Sequence, residues 1–90
     1  MLHYTTYALN EHSPWVTFVH GAGGSSAIWY KQLREFKKDF NILLIDLRGH
    51  GKSKNPIYEK IKSYSFDVIS DEVIEVLDYL KIKTSHFIGI

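Results

Sequence analysis

The sequence predicts an α/β fold, a mainly parallel sheet with helices on its faces. Three short β-rich apolar runs, Trp15–Val19 (WVTFV), Asn41–Ile45 (NILLI) and HFIGI at 86–90, are separated by two stretches of helical periodicity. Glycine-rich turns follow the first two runs. A chain that alternates strand and helix in this way returns each strand to the same end of a sheet, because a parallel pair needs a crossover between its members.

The elements can be justified in order. Residues 2–9 carry a weaker β pattern, suited to an edge strand or a hairpin. Neither WVTFV nor NILLI alternates apolar with polar residues, which suits strands buried on both faces, and HFIGI would be a third such strand. Between the first two, SSAIWYKQLREFKK places Trp29, Leu33 and Phe36 on one helical face, with Ser25 or Ser26 available as N-cap. Between the second and third, SFDVISDEVIEVLDYL sets Ile69, Val73, Val76, Leu77 and Leu80 against Asp71, Glu72, Glu75 and Asp78, with Ser65 as N-cap. The acidic side of that helix reads as its solvated face. Residues 48–63, with Gly49, Gly51, Asn55 and Pro56, read as a long loop.

Length and composition narrow the function classes. Ninety residues make one small domain, 1–90, of which only roughly 60 to 65 % of the unfolded surface can be buried. A net charge of +1 favours neither nucleic acid nor membrane as a partner. No cysteine is present, so neither a disulfide framework nor a thiolate metal site exists, and a reducing cytoplasm is the expected location. The N-terminus lacks a basic segment followed by an apolar stretch, so no secretory signal is expected, and no segment approaches a membrane span. His3, His12 and His86 are scattered without metal-ligand spacing, and no metal or other cofactor is expected.

Two glycine turns invite a nucleotide reading. In GAGGSS, Gly21 and Gly23 fit the first two glycines of a dinucleotide loop and Asp46 could take a ribose hydroxyl, but Ser26 stands where Gly or Ala is needed for close helix packing. RGHGKS ends like a phosphate-binding loop, yet Asp46 occupies the position of that motif's first glycine and would oppose a triphosphate. A nucleotide-binding βαβ unit stays as an alternative.

Taken together, VHGAGGSS, DLRGHGKS and HFIGI resemble three successive features of the α/β-hydrolase superfamily. These are the His-Gly turn after its third strand, the Asp-x-Arg-Gly-x-Gly-x-Ser turn after its fourth, and the strand entering the G-x-S-x-G nucleophile elbow. The likeness runs from Trp15 to the end, and Trp29 in the first helix is looser evidence for the esterase-like branch. It implies a partial hydrolase sheet and a small-molecule acyl substrate, with the Ala22 N–H as an oxyanion-hole donor on a turn supported by His20, Gly21 and Gly23. Asp46, Arg48, Gly49, His50, Gly51 and Ser53 would scaffold the neighbouring loop, and His20 would be structural, since the family's base lies after its last strand. A local triad of Ser53, His50 and Asp46 is the alternative use of these side chains.

The resemblance also places Gly89 and Ile90 at the first two positions of G-x-S-x-G, so the nucleophile, acid and base would follow Ile90. The chain is therefore expected to be the N-terminal part of a truncated hydrolase, inactive alone. An unpaired last strand would drive homo-oligomerisation, and an interaction module that pairs with itself or with a missing half is the non-enzymatic alternative.

Overall fold

The computed structural model describes residues 1–21, 24–47, 51–53 and 66–89. The chain runs β1 (Tyr4–Tyr7), β2 (Trp15–Val19), a 3-10 turn (Ser26–Trp29) leading into α1 (Tyr30–Phe36), β3 (Asn41–Ile45), a 3-10 turn (Gly51–Ser53), α2 (Phe66–Tyr79) and β4 (His86–Gly89). The strand order is β1-β3-β2-β4. β2 lies parallel to both β3 and β4, and β1 is antiparallel to β3 at one edge. The α/β architecture expected from the sequence is the one observed, and residues 2–9 supply an edge strand, not a hairpin with β2.

The unbroken apolar run of β3 follows from its position. All five of its residues are buried. Ile42 and Leu44 point to one side, where Val16, Phe18 and Trp29 complete a core with Leu33, Phe36, Phe40 and Ile88 packed against it. Leu43 and Ile45 point to the other, against Leu2, Val73, Val76, Leu77 and Ile82. A strand sandwiched between two helical layers has no solvent face on which to place polar residues.

Each helix turns the expected face inward. The 3-10 turn before α1 is capped by Ser25, whose side chain accepts from the Ala27 N–H at 3.3 Å. Trp29 then packs on Phe18 with ring centroids 5.0 Å apart and planes tilted by 46°, and Phe36 meets the same ring edge-on at 5.5 Å. α2 buries Val73, Val76 and Leu77, while its Ser65 cap position lies outside the described residues. At its C-terminus the Ile82 N–H reaches the Leu77 carbonyl and the Lys81 N–H reaches that of Asp78, a Schellman closure that puts Lys81 at φ 59°.

β4 departs from the expectation of a strand buried on both faces. Phe87 is 56 % exposed, because α2 covers β3 and leaves its own side of β4 bare. Ile88, on the opposite side, packs against the α1 core. β4 is tied to β2 by the ladder from Val16–His86 to Val19–Gly89, and by Thr17 Oγ1, 2.7 Å from Ser85 Oγ. At the far end of the sheet, buried Asn41 clamps the β1–β2 connection. Its Oδ1 accepts from the Leu9 and Asn10 N–H groups at 2.6 and 3.1 Å, and its Nδ2 donates to the carbonyls of Asn10 and Ser13 at 2.8 and 2.7 Å.

Candidate functional site

Because β2, β3 and β4 are parallel, the segments after Val19, Ile45 and Gly89 all leave the same end of the sheet. Ligands of open parallel sheets bind outside this carboxyl end. The register pairs Val19 with Gly89, so the turn that follows β2 stands directly beside the chain leaving β4.

The turn after β2 is closed by the Gly24 N–H on the Gly21 carbonyl at 3.1 Å. His20 lies buried beside it. The Leu47 N–H donates to His20 Nε2 at 3.0 Å, which makes that nitrogen the acceptor of a neutral ring. Nδ1 then carries the proton and donates to the Gly21 carbonyl at 2.7 Å. One imidazole thus joins the turn after β2 to the segment after β3.

Asp46 makes a second connection between them. Its Oδ1 accepts from the Ser26 N–H at 2.7 Å and its Oδ2 from the Lys52 N–H at 3.1 Å. Burial pulls this carboxyl up, but the Ser26 and Lys52 amides, the Ser26 side chain and the charge of His3 together outweigh burial and hold its pKa below the usual carboxylate value. Gly51 sits directly over the carboxylate at φ +49°, and a Cβ there would stand 2.6 Å from Asp46 Cγ. No other residue type fits both the conformation and the space. Ser53 completes the brace: its hydroxyl donates to the Asp46 carbonyl at 2.6 Å and accepts from the His3 N–H at 2.8 Å.

The structure therefore gathers His20, Gly21, Asp46, Gly51 and Ser53 at one end of the sheet, with Gly89 alongside. Ala22, Gly23, Arg48, Gly49, His50 and Ile90 lie outside the described residues. Ser53 Oγ engages two main-chain groups and the Asp46 carboxylate accepts from two amides, so both of these members of the alternative local triad already have main-chain partners, and its third member, His50, lies outside the described residues. Among the described residues, no group of three or more metal-ligating side chains converges. No described helix is long and apolar enough to cross a membrane.

Sequence reasoning missed the partners of this network. In the sequence Ser26 reads only as a cap or a loop position, and the N–H groups of His3, Leu47 and Lys52 leave no mark. A backbone donor has no residue signature, and only Gly51 next to Lys52 marks the place where the chain must approach a carboxylate.

The sequence pattern of the α/β hydrolase fold family matches residues 14–90. 3-Oxoadipate enol-lactonase 1 of Acinetobacter baylyi is 29 % identical over 80 residues, 89 % of this chain and 28 % of that protein. Epoxide hydrolase 4 of Mus musculus is 33 % identical over 76 residues, 84 % of this chain and 21 % of that protein. Among solved structures, the enol-lactonase from Burkholderia xenovorans LB400 superposes with a TM-score of 0.80 at 29 % identity, covering 99 % of this chain and 33 % of the other. The chain thus spans a third or less of the length of these proteins.

Proposed function

The chain belongs to the α/β-hydrolase fold family, and from that premise we propose that residues 1–90 are the N-terminal part of one hydrolase domain acting on a carboxylic ester, a lactone or a related acyl substrate. The observation that carries this reading is the pairing of Val19 with Gly89, which sets the closed turn Gly21–Gly24 beside the exit of β4. In the family pattern the residue after Ile90 is the nucleophile. A carbonyl attacked there develops negative charge within reach of backbone N–H groups on the neighbouring turn, with Ala22 as the donor. Donors fixed before the reaction stabilise that charge without reorganising. An enol-lactonase among the relatives fits a carbonyl substrate, for which such a turn has a use. A cytoplasmic location fits a chain without cysteine.

In this reading acid, base and nucleophile follow Ile90, and the 90 residues alone hydrolyse no ester. Purified chain should cleave p-nitrophenyl acetate no faster than an equal concentration of free histidine. A higher rate, lost in Ser53→Ala or His50→Ala, would revive the local triad and end this reading. The oxyanion role is tested in a chimera that joins residues 1–90 to the portion of the A. baylyi enol-lactonase that follows its matched segment. Ala22→Pro removes the donor and should lower kcat by about 10²- to 10³-fold. Unchanged kcat would show that the turn donates nothing.

A second reading, self-association through β4, is favoured by the 56 % exposure of Phe87 on a strand that pairs, among the described residues, with β2 alone. An open edge with an apolar side chain is a template for another strand. A two-fold axis beside β4 would continue the sheet across two copies. Sedimentation equilibrium at tens of micromolar should show a dimer that Phe87→Lys dissociates, and a folded monomer would contradict it.

A further inference from the structure

We propose that Asp46 is a positioning residue for the turn after β2, a side chain at the end of one strand that fixes the working geometry of the turn on its neighbour. This deepens the acyl-hydrolase reading and rests on it.

The turn Gly21–Gly24 has two ends. Its leading end is secured by the β2 ladder, which reaches Val19, and by the His20 ring on the Gly21 carbonyl. Its trailing end runs into the 3-10 turn Ser26–Trp29, which continues into α1 and is anchored at its far end by Trp29 on Phe18. The restraint nearest the turn is the 2.7 Å bond from the Ser26 N–H to Asp46 Oδ1, two residues beyond Gly24.

Asp46 can serve as an anchor because it is itself held. Its other carboxylate oxygen is fixed by the Lys52 N–H, and its main-chain carbonyl by Ser53. The side chain is nearly inaccessible, at 3 % exposure, and Gly51 closes over it. Both oxygens are committed to donors on different loops, so a shift of the turn would stretch a charge-assisted bond. That suits a turn whose N–H groups must already point correctly when negative charge appears, since a reaction site depends on the residues that lock it in place.

The test reads amide hydrogen exchange at the Gly24 and Ser26 N–H groups against strand amides of β2 and β3, in the chain as it stands. Asp46→Asn keeps one acceptor where there were two. It should lower protection at Gly24 and Ser26 at least tenfold more than in the strands. Ser26→Pro removes the bonded N–H while leaving the carboxylate intact. Pro is well accepted at the first position of a helix, and Ser25 before it is already extended at φ −157°, ψ 175°. Ser26→Pro should expose the Gly24 amide by the same factor, Ser26→Ala should leave it protected, and the double variant Asp46→Asn with Ser26→Pro should be no worse at Gly24 than either change alone.

Equal loss of protection in turn and strands would reduce Asp46 to a general stabiliser. A Gly24 amide as protected in Ser26→Pro as in the parent chain would overturn the proposal. Neither result depends on substrate, so failure here is separable from failure of the hydrolase reading, which the Ala22→Pro chimera judges.

Discussion

Replacing Gly51 with alanine should be among the most damaging single changes available to this chain, although it adds only one methyl group near the surface. Two separate effects contribute. At φ +49° an L-residue pays roughly 1 to 2 kcal/mol for its left-handed conformation. The new Cβ would also lie 2.6 Å from Asp46 Cγ and 2.7 Å from each carboxylate oxygen. The carboxylate cannot swing aside without giving up its bond to Ser26 or to Lys52, each a charge-assisted bond worth about 1.5 to 3 kcal/mol. Together these amount to about 2.5 to 5 kcal/mol, a large part of the roughly 5 to 15 kcal/mol that stabilises an ordinary domain. The assay is urea unfolding followed by fluorescence of Trp15 and Trp29. Gly51→Asn separates the two effects, because asparagine tolerates the left-handed region but still carries a Cβ. If contact with Asp46 dominates, Asn should cost nearly as much as Ala. A loss below about 1 kcal/mol for Gly51→Ala, or Asn tolerated where Ala is not, would refute the reasoning.

Three further outcomes follow from other parts of the molecule. Asn41→Ala removes the four part-buried hydrogen bonds that hold the β1–β2 connection and should cost about 2 to 4 kcal/mol, with faster exchange at the Leu9 and Asn10 amides as the local sign. Lys81→Gly relieves the left-handed cap of α2 and should raise stability by about 0.5 to 1 kcal/mol once the greater freedom of unfolded glycine is subtracted, measurable as a higher urea midpoint. The depressed pKa of Asp46 means that the unfolded chain takes up this proton at a higher pH than the folded one. Its contribution is therefore complete above the ordinary aspartate value near 4 and lost as pH falls through the lower folded value. An acid-unfolding series should show a shallower decline in Asp46→Asn, and parallel curves would count against the assignment.

The layout of the fold was legible because burial on two faces leaves a direct trace. NILLI reads as a central strand and is one, and Val73, Val76 and Leu77 meet Leu43 and Ile45 as their spacing requires. β4 misled in part, since Phe87 is as apolar as a core residue but is more than half exposed. The first helix began differently from its periodicity: Ser26–Trp29 winds as a 3-10 turn, which brings Trp29 onto Phe18 before α-helical geometry takes over. Asn41 could not have been singled out, because an asparagine that opens a strand looks like a turn residue until the loop it clamps is in place. The cross-links at the candidate site were hidden for a related reason. Asp46 was assigned to a scaffold by its motif, but its partner Ser26 lies twenty residues away and becomes a neighbour only after the β2–α1–β3 crossover has closed.

The strand order also dictates a schedule of assembly. β2 finds β3 after a crossover of moderate length, but its other neighbour, β4, is encoded about seventy residues after it, as the pairing of Val16 with His86 shows. During synthesis the chain emerges from its N-terminus, so β2 and β3 leave the ribosome well before His86 does. For that interval the outer side of β2 carries unpaired main-chain groups beside Val16 and Phe18, both destined for full burial. Contacts so distant in sequence close slowly, and a central strand kept waiting is an open invitation to the wrong partner. Thr17 tempers that hazard: it puts a hydroxyl in the middle of the waiting strand, which stays solvated until Ser85 arrives to take its hydrogen bond.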